Sequence, residues 1–149
     1  MSAVFQSPQF DVDAIHWQPF GSYTGFDYRL LNVDVDNRVI DMLFRFEPDR
    51  RCFYHTHHTP SSTLVLHGEQ HIWEKDENGD ERHKVRRAGE FAVSNGADTH
   101  IEGGGPDGAV IYMNVRANDD IVYSILNDDL TTRVDVSLGA FAEAFAAQS

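Results

Sequence analysis

Short apolar stretches of strand length, each followed by turn-forming residues, are the feature of this sequence that most restricts its fold. The stretches alternate with a period of two or are continuously apolar, and they lie at residues 28–35, 39–46, 62–66, 69–74, 90–94 and 110–116. Pro, Gly, Asn and Asp are concentrated between them. Many short strands separated by polar turns are typical of an all-β sandwich or barrel. We therefore expect an all-β fold.

Two of the breaks have turn chemistry of their own. Asn78-Gly79 stands between the strand-like residues 72–73 and 83–85 and predicts the tip of a β-hairpin, because both residues tolerate positive φ. The glycine-rich stretch 103–108 neither follows the P-loop pattern nor opens a helix. It is therefore interpreted as a hairpin connection and not as a phosphate-binding loop.

The two ends of the chain differ from the middle. Apolar residues recur with helical spacing from Leu138 to Phe145, and Ser137 stands where an N-cap is needed, so residues 137–148 predict a short C-terminal helix. Residues 1–25 are expected to form an N-terminal arm or an added edge strand. The sequence does not choose between these two.

Size and charge exclude several classes of protein. A chain of 149 residues with 41% hydrophobic residues can bury one compact core, so we expect a single domain over residues 1–149. The formal charge of −12 would repel a phosphate backbone or an anionic lipid surface, so neither nucleic acid nor a membrane is an expected partner. Cys52 is the single cysteine, and the first residues lack the basic and apolar regions of a secretory signal. These features favour a cytoplasmic protein.

Histidine is the residue type that most suggests chemistry. Five of the eight histidines lie between positions 55 and 71. If the chain is extended at His55 and His57, both imidazoles project from the same face about 7 Å apart and can converge on one metal ion. A His-x-His pair alone is a weak signal, since two exposed polar residues at the end of a strand give the same pattern.

Two longer motifs resemble those of the cupin superfamily. The family's first motif, G-x5-H-x-H-x3,4-E-x6-G, is matched by His55, His57 and Gly68. Its second motif, G-x5-P-x-G-x2-H-x3-N, is matched by Gly89 and His100. The resemblance implies a cupin β-barrel, or jelly roll, in which His55, His57 and His100 bind a metal ion.

The sequence also departs from these motifs. Ser61 stands in place of the family's glutamate ligand, Asn95 and Ala97 replace the proline and the second glycine, and Gly104 replaces the final asparagine. Without the glutamate, we expect a ligand set of three neutral imidazoles that leaves the charge of a divalent ion uncompensated. Such a site should attract an anionic, chelating oxygen ligand.

The missing glutamate makes the chain similar to three-histidine cupins, in particular the acetylacetone-cleaving and 2,4'-dihydroxyacetophenone dioxygenases. This resemblance implies a mononuclear dioxygenase with Fe(II), and with Zn, Ni, Mn or Cu as alternative ions. Its expected partners are O2 and a small β-diketone or hydroxyketone whose C–C bond is cleaved. Because cupins commonly pair through barrel edges, a homodimer is also expected.

Arg45, Ser61 and Tyr112 are the candidate catalytic residues. Arg45 is isolated in an apolar strand, and the outer face is its expected position; an inward guanidinium would suit a substrate carboxylate or carbonyl. Tyr112 and Asn114 are two residues apart and should share one face, where they could hydrogen-bond in the pocket. A packed tyrosine with its hydroxyl at the rim is the other interpretation.

The remaining histidines are interpreted as bystanders. His58 follows His57 and should point to the opposite face, so that it would be a ligand only if the strand contained a bulge. His67 and His71 are expected on a half-exposed strand. Glu69 is expected to form a salt bridge or to contact solvent, and not to replace the absent carboxylate ligand.

Two other functions fit the same residues. One is a ligand-binding or sensor cupin that holds zinc, like the cupin half of ChrR-type anti-sigma factors, although we expect no room here for the separate partner-binding region of those proteins. The other is a non-oxidative isomerase or lyase, for example a metal-free sugar epimerase acting on a nucleotide diphosphate. The acidic charge, with Lys75 and Lys84 as the only lysines, argues against that substrate.

Overall fold

Residues 11–148 are described by the computed structural model. They form a single turn of 3-10 helix at Val12–Ala14, then strands β1 (Gln18–Pro19), β2 (Phe26–Asp34), β3 (Val39–Phe46), β4 (His55–His57), β5 (Ser61–Lys75), β6 (Glu81–Arg87), β7 (Phe91–Ser94), β8 (Asp98–Arg116), β9 (Ile121–Leu126) and β10 (Thr132–Ser137), and finally helix α1 (Leu138–Ala147). The predicted all-β fold with a short C-terminal helix is confirmed.

All pairings between these strands are antiparallel, and the long strand β8 organises them. The sheet runs in the order β1-β2-β3-β8-β4-β9-β10, while β5 also pairs with β8 and carries β6 and β7. The second half of β8 lies between β3 and β5, and its first residues pair with β4. The resulting sheet curls around one apolar core, as in a cupin barrel.

The core is formed by the inward faces of β2, β3 and β8. In β3, Met42, Phe44 and Phe46 face the core and are buried, whereas Asp41 and Arg45 on the other face are partly exposed and Leu43 between them is buried as well. This alternation is what a strand with one buried face requires. The buried set around these residues is rich in Phe, Ile, Val and Met from several strands and includes Leu138 and Phe141 of α1.

Helix α1 closes one side of the core. The Ser137 side chain accepts a hydrogen bond from the backbone N–H of Ala140, so the predicted N-cap is present. At the other end, the Gln148 amide accepts from the Leu30 N–H at 2.9 Å and donates to the Leu30 carbonyl at 2.8 Å. These two bonds attach the end of the helix to β2.

Part of the expected N-terminal arm is an edge strand. Gln18 and Pro19 pair with Tyr28 and Asp27 of β2. Residues 1–10 of that expectation lie outside the described residues. Between residues 11 and 148, no helix has the length and apolar character needed to cross a membrane.

The interpretation of residues 103–108 as a hairpin connection is wrong. They lie inside β8, where Gly103 and Gly104 pair with His71 and Gln70 of β5. The glycines are needed because other chain segments pass close by: a Cβ on Gly103 would clash with the carbonyl oxygen of Arg50. Glycine in a strand often marks such a close backbone approach.

The two stretches 62–66 and 69–74 are likewise one strand, β5, with an irregularity in its pairing around Gly68. Gly68 has a φ of +69°, a conformation that glycine adopts without strain. The predicted hairpin tip at Asn78-Gly79 is confirmed, since the turn there joins β5 to β6.

The substitution Gly103→Ala tests the tight packing of β8. Because the added Cβ would overlap the Arg50 carbonyl, we expect the free energy of unfolding to fall by about 1–3 kcal/mol. Urea denaturation measures this loss. Gly139→Ala in α1 is the matched control: its Cβ would meet Ser137 Oγ at an ordinary 3.7 Å, so it should be neutral or stabilising. Equal effects of the two changes would contradict the packing described.

Candidate metal centre

The pairing of β4 with β8 brings the three candidate histidines together. β4 lies between β8 and β9, with His55 opposite both His100 and Ile125. His57 is two residues from His55 on the same strand and therefore shares its face. All three histidines are buried. One short strand thus contributes two imidazoles and its neighbour contributes the third.

The ring nitrogens of these histidines converge on one point. His57 Nε2 lies 3.0 Å from His55 Nε2 and 3.0 Å from His100 Nε2. The rings are tilted or perpendicular to one another and do not stack. At His55, Nδ1 lies 2.9 Å from the carbonyl oxygen of Phe53, which assigns the ring hydrogen of a neutral His55 to Nδ1 and leaves the Nε2 lone pair facing the cluster.

A carboxylate completes the cluster, which corrects the expectation of three neutral imidazoles alone. Glu102 Oε2 lies 3.0 Å from His55 Nε2 and 3.6 Å from His100 Nε2. The four donor atoms lie within 4.8 Å of one another, and all four residues are buried. Glu102 therefore supplies from β8 the negative charge that the motif position at Ser61 lacks.

The sequence did contain a signal for Glu102. In His100-Ile101-Glu102, the histidine and the glutamate are two residues apart and must face the same way if the segment is a strand. If residues 103–108 form a turn, Glu102 stands at the end of a strand, where the direction of its side chain is not defined by the alternation. The continuous strand β8 gives Glu102 its position.

The charges of the cluster show that it needs a cation. Burial disfavours an imidazolium at His55, but hydrogen bonds with Cys52 and Glu102 outweigh burial and raise the pKa of His55 to about 9. Burial likewise opposes ionisation of Glu102, yet His100 and His55 hold the pKa of this carboxyl well below its usual range. Burial and the charges of His55 and His100 lower the pKa of His57 well below its usual value. A proton on His55 thus neutralises Glu102, the role that a metal ion would take.

The donor set fits a first-row divalent ion. Imidazole nitrogen and carboxylate oxygen are ligands that iron(II), zinc, nickel, copper and manganese all accept. Two ligand atoms at about 2.0–2.2 Å from such an ion lie roughly 3–3.5 Å from each other. In the cluster, the distances from His57 Nε2 and from Glu102 Oε2 to the Nε2 atoms of His55 and His100 are 3.0–3.6 Å. The cluster therefore has the composition and the spacing of a metal site.

Gln70 holds the carboxylate in place. Its Nε2 donates a 2.6 Å hydrogen bond to Glu102 Oε1, and the side chain is fully buried. This bond leaves Oε2 as the oxygen that faces the histidines. Gln70 Oε1 is buried and has no hydrogen-bond partner within residues 11–148. The bond from Gln70 Nε2 to Glu102 therefore sets the orientation of the amide. Carboxylates and amides in this position tune the ligands of metal sites.

An aromatic cavity opens beside the cluster. His55, His57 and Glu102 form part of its wall, and the other lining residues are Phe20, Phe26, Phe44, Phe46, Cys52, Phe53, Met113, Tyr123 and Ile125. The space that a water-sized molecule can reach is about 40 Å³. No lysine or arginine lines it. The cavity therefore suits a small, apolar organic group placed next to the metal site.

Comparison with known proteins identifies the family. A family model described as the ChrR cupin-like domain matches residues 6–118, which is most of the chain. The chain belongs to the ChrR cupin-like family. No functionally curated protein has a sequence that matches it.

Solved structures of other cupins share the fold. An acetylacetone dioxygenase from Acinetobacter johnsonii superposes with a TM-score of 0.73 at 12% identity, covering 100% of this chain and 96% of that one. A putative acetylacetone dioxygenase from Methylibium petroleiphilum gives 0.70 at 16% identity, covering 98% and 99%. An RmlC-like cupin protein from Ralstonia eutropha gives 0.71 at 13% identity, covering 92% and 83%. At these identities the likeness establishes the cupin fold and no activity.

The three residues predicted as catalytic do not line the cavity of this cupin. Arg45 lies on the outer face, where it binds Asp27 at 2.7 Å and covers the ring of Trp17. Tyr112 shares the outer face with Asn114, and both donate hydrogen bonds to Asp41. Because successive strand residues face opposite sides, the buried neighbours of Arg45 and Tyr112 exclude them from the interior.

Ser61 has a different environment. It is buried at the start of β5, with 3% of its surface exposed, opposite Val115 and Ser94 on the neighbouring strands. It lies outside the set of residues that line the cavity. The structure thus keeps the family's motif position inside the barrel and puts the carboxylate of the cluster elsewhere.

The expected bystanders lie outside the cluster. His58 Nε2 is 2.7 Å from Ser124 Oγ, on the side of β4 away from His57. His67 is exposed, and Glu69 Oε2 lies 3.2 Å from His71 Nε2. These positions agree with the interpretation of His58 and Glu69 as residues that do not face the metal site.

Metal affinity should fall as the pH is lowered. Below about pH 9, His55 carries a proton in the metal-free protein, and an ion must displace it, because only a neutral imidazole coordinates. His57 is already neutral and Glu102 already ionised there. We expect roughly tenfold weaker binding per pH unit, together with release of about one proton per ion. Cobalt(II) titrations at several pH values check this, and an affinity independent of pH would contradict it.

The substitution Gln70→Met tests the support of Glu102. Methionine keeps the volume but cannot donate to Glu102 Oε1, so the carboxylate is free to turn. We expect a loss of about 10–100-fold in metal affinity, measured by competition with a chelator. Val65→Ala is the control, because Val65 is a buried residue of the same strand without a polar contact to the cluster. If Val65→Ala weakened metal binding as much, the effect of Gln70→Met would reflect a general loss of stability and not the lost hydrogen bond to Glu102.

Proposed function

We propose that this cupin is a mononuclear metal-dependent dioxygenase, with iron(II) as its metal, that cleaves a C–C bond in a small β-diketone or hydroxyketone. His55, His57, His100 and Glu102 would hold the ion. The observation that carries the proposal is the position of this buried cluster in the wall of an aromatic cavity. The acetylacetone dioxygenases among the structures with the same fold support it.

The ligand set suits an enolate. When bound, iron(II) would supply the redox chemistry and a positive charge that favours the deprotonated form of the substrate. The four protein ligands would leave room at the ion for chelating substrate oxygens. Glu102 reduces the net charge of the loaded site, so a monoanionic chelate is better matched to it than a dianion. Both atoms of O2 would enter the two products, so that no further reductant is consumed.

The cavity wall favours an apolar substrate, which would displace the water that can enter this space. Phe20, Phe26, Phe44, Phe46 and Phe53 surround the space beside the cluster, and no cationic side chain is available for a second carboxylate. A small diketone or hydroxyketone has two oxygens for the metal site and apolar substituents for this wall. The exclusion of water strengthens the electrostatic interactions inside the site.

Tyr123 is placed to orient the substrate. Its ring lies 4.8 Å from that of His57, and within residues 11–148 the soft sulfur of Met113, at 3.1 Å, is the only acceptor of its hydroxyl. Burial and the charge of Glu102 raise the pKa of Tyr123, so the hydroxyl keeps its proton. This O–H can therefore donate a hydrogen bond to a substrate oxygen at the metal site.

The experiment is anaerobic reconstitution with iron(II), followed by O2 uptake on addition of a small β-diketone or hydroxyketone. We expect one O2 per substrate molecule. His100→Ala should abolish both metal retention and O2 uptake, because it removes a ligand. His58→Ala should leave both nearly intact, since Ser124, the partner of His58, keeps its bond to Asp135. If the two variants behaved alike, the assignment of ligands would be wrong.

A zinc-holding sensor is the second candidate, and the match to the ChrR cupin-like family favours it. In that case the same four residues would retain zinc, and no substrate would be turned over. Zinc retained without O2 uptake in the experiment above would support the sensor. Activity that survives chelation would instead support the non-oxidative isomerase or lyase.

We also propose that the chain forms a homodimer. Phe91 and Val93 are exposed by 63% and 62% on β7, which pairs only with β5 within residues 11–148. Exposed apolar edge strands favour association with another chain. Sedimentation velocity would give the mass in solution, and a monomer at micromolar concentration would contradict the proposal.

A further inference from the structure

A second pair of histidines lies on the outer face of the β5–β6 ribbon, apart from the buried cluster. His71 Nδ1 and His83 Nε2 are 2.7 Å apart. We infer that His71 and His83 form a second, exchangeable site for a late first-row divalent cation, with Cu2+ the ion bound most tightly. This inference does not depend on the proposed dioxygenase activity.

The ring of His71 is fixed in the form that a metal needs. Glu69 Oε2 lies 3.2 Å from His71 Nε2. Because a carboxylate accepts hydrogen bonds, Nε2 carries the hydrogen of a neutral His71, and Nδ1 presents its lone pair to His83. A histidine that donates to a carboxylate from one nitrogen and binds the metal through the other is a recurrent arrangement in metalloproteins.

The ring of His83 is held by stacking. His83 stands directly opposite Trp73 in the pairing of β5 with β6, and the two rings are parallel within 6° at a centroid distance of 4.9 Å. The Arg51 guanidinium lies 3.9 Å from the centre of the Trp73 ring, which also steadies the indole. Both imidazoles are therefore positioned before an ion arrives, which lowers the cost of ordering them.

The space required is small. Two imidazole nitrogens at about 2.0 Å from a tetragonal Cu2+, on adjacent positions, lie about 2.8 Å apart, so the rings must separate by only roughly 0.1 Å. His83 is exposed and can move by that amount. Water would occupy the remaining positions of the ion. An open site with two imidazoles follows the general order of affinities, in which Cu2+ binds more tightly than Ni2+ or Zn2+.

Trp73 provides a direct measurement of this site. The full chain is first loaded with one equivalent of Zn2+ to fill the buried cluster, and Cu2+ is then added while tryptophan fluorescence is recorded. Because His83 stacks on Trp73, bound Cu2+ should quench the indole with a stoichiometry of one ion per chain. Trp73→Phe should remove the quenching, since Trp17 lies elsewhere, against Arg45. The zinc content after the titration shows that the buried ion has stayed in place.

Variants of exposed residues decide the assignment without endangering the fold. His83→Ala should weaken the Cu2+ affinity at least tenfold, and Glu69→Gln should weaken it less. His67→Ala is the matched control, because His67 is an exposed histidine of the same strand and should leave quenching unchanged. Quenching that is unaffected by His83→Ala, or that appears only as zinc is released, would overturn the inference.

Discussion

A buried carboxylate among three imidazoles is the interaction on which the functional part of this structure depends. Glu102 and the ring nitrogens of His55, His57 and His100 present lone pairs to one another at hydrogen-bond distance, inside a fold that excludes water. Such a group of acceptors is stable only with positive charge among them. In the metal-free protein a proton on His55 supplies this charge, and a divalent ion would supply it with better geometry. The local electrostatics therefore favour a cation at this position, in addition to the match to a motif.

The position of this cluster follows from one strand. β8 pairs with β4 through its first residues and with β3 and β5 through the rest, so it connects the metal ligands to the aromatic core. Glycines within β8 allow the backbone around Arg50 to approach closely. Gln70, on β5, is a diagonal neighbour of Glu102 in the pairing of β5 with β8 and donates to its carboxylate. The ligands, their support and the cavity wall therefore share one rigid frame.

The sequence was sufficient for the fold class and for bringing His55, His57 and His100 together as candidate ligands, because both depend on short-range patterns and motif spacing. Alternation gave β3 its bounds at Val39–Phe46, and the spacing of His55 and His57 put them on one face. The fourth ligand depended on long-range pairing. Glu102 could be recognised only once residues 103–108 were known to continue the strand, and their glycines favour a turn by every local criterion.

Two of the candidate catalytic residues, Arg45 and Tyr112, lie on the outer face, which was the expected position of Arg45. Arg45 and Tyr112 are polar residues in apolar strands, and the sequence alone does not tell which face of a strand is internal. Their partners Asp27 and Asp41 are distant in sequence and stabilise them outside. The residues that do surround the cavity are aromatic, and their composition resembles that of an ordinary core. Nothing in their local sequence distinguishes residues that line a cavity from residues that pack in a hydrophobic core.

The aromatic wall comes from parts of the chain that do not carry the ligands. Phe20 precedes β2, Phe44 and Phe46 belong to β3, and Tyr123 belongs to β9, whereas the histidines lie on β4 and β8. Under the proposed function, most of the residues that would contact the apolar part of a substrate therefore lie on other strands than the residues that would hold the metal. Exchange of Phe20 or Phe44 for a smaller side chain would enlarge the cavity without removing a ligand of the ion.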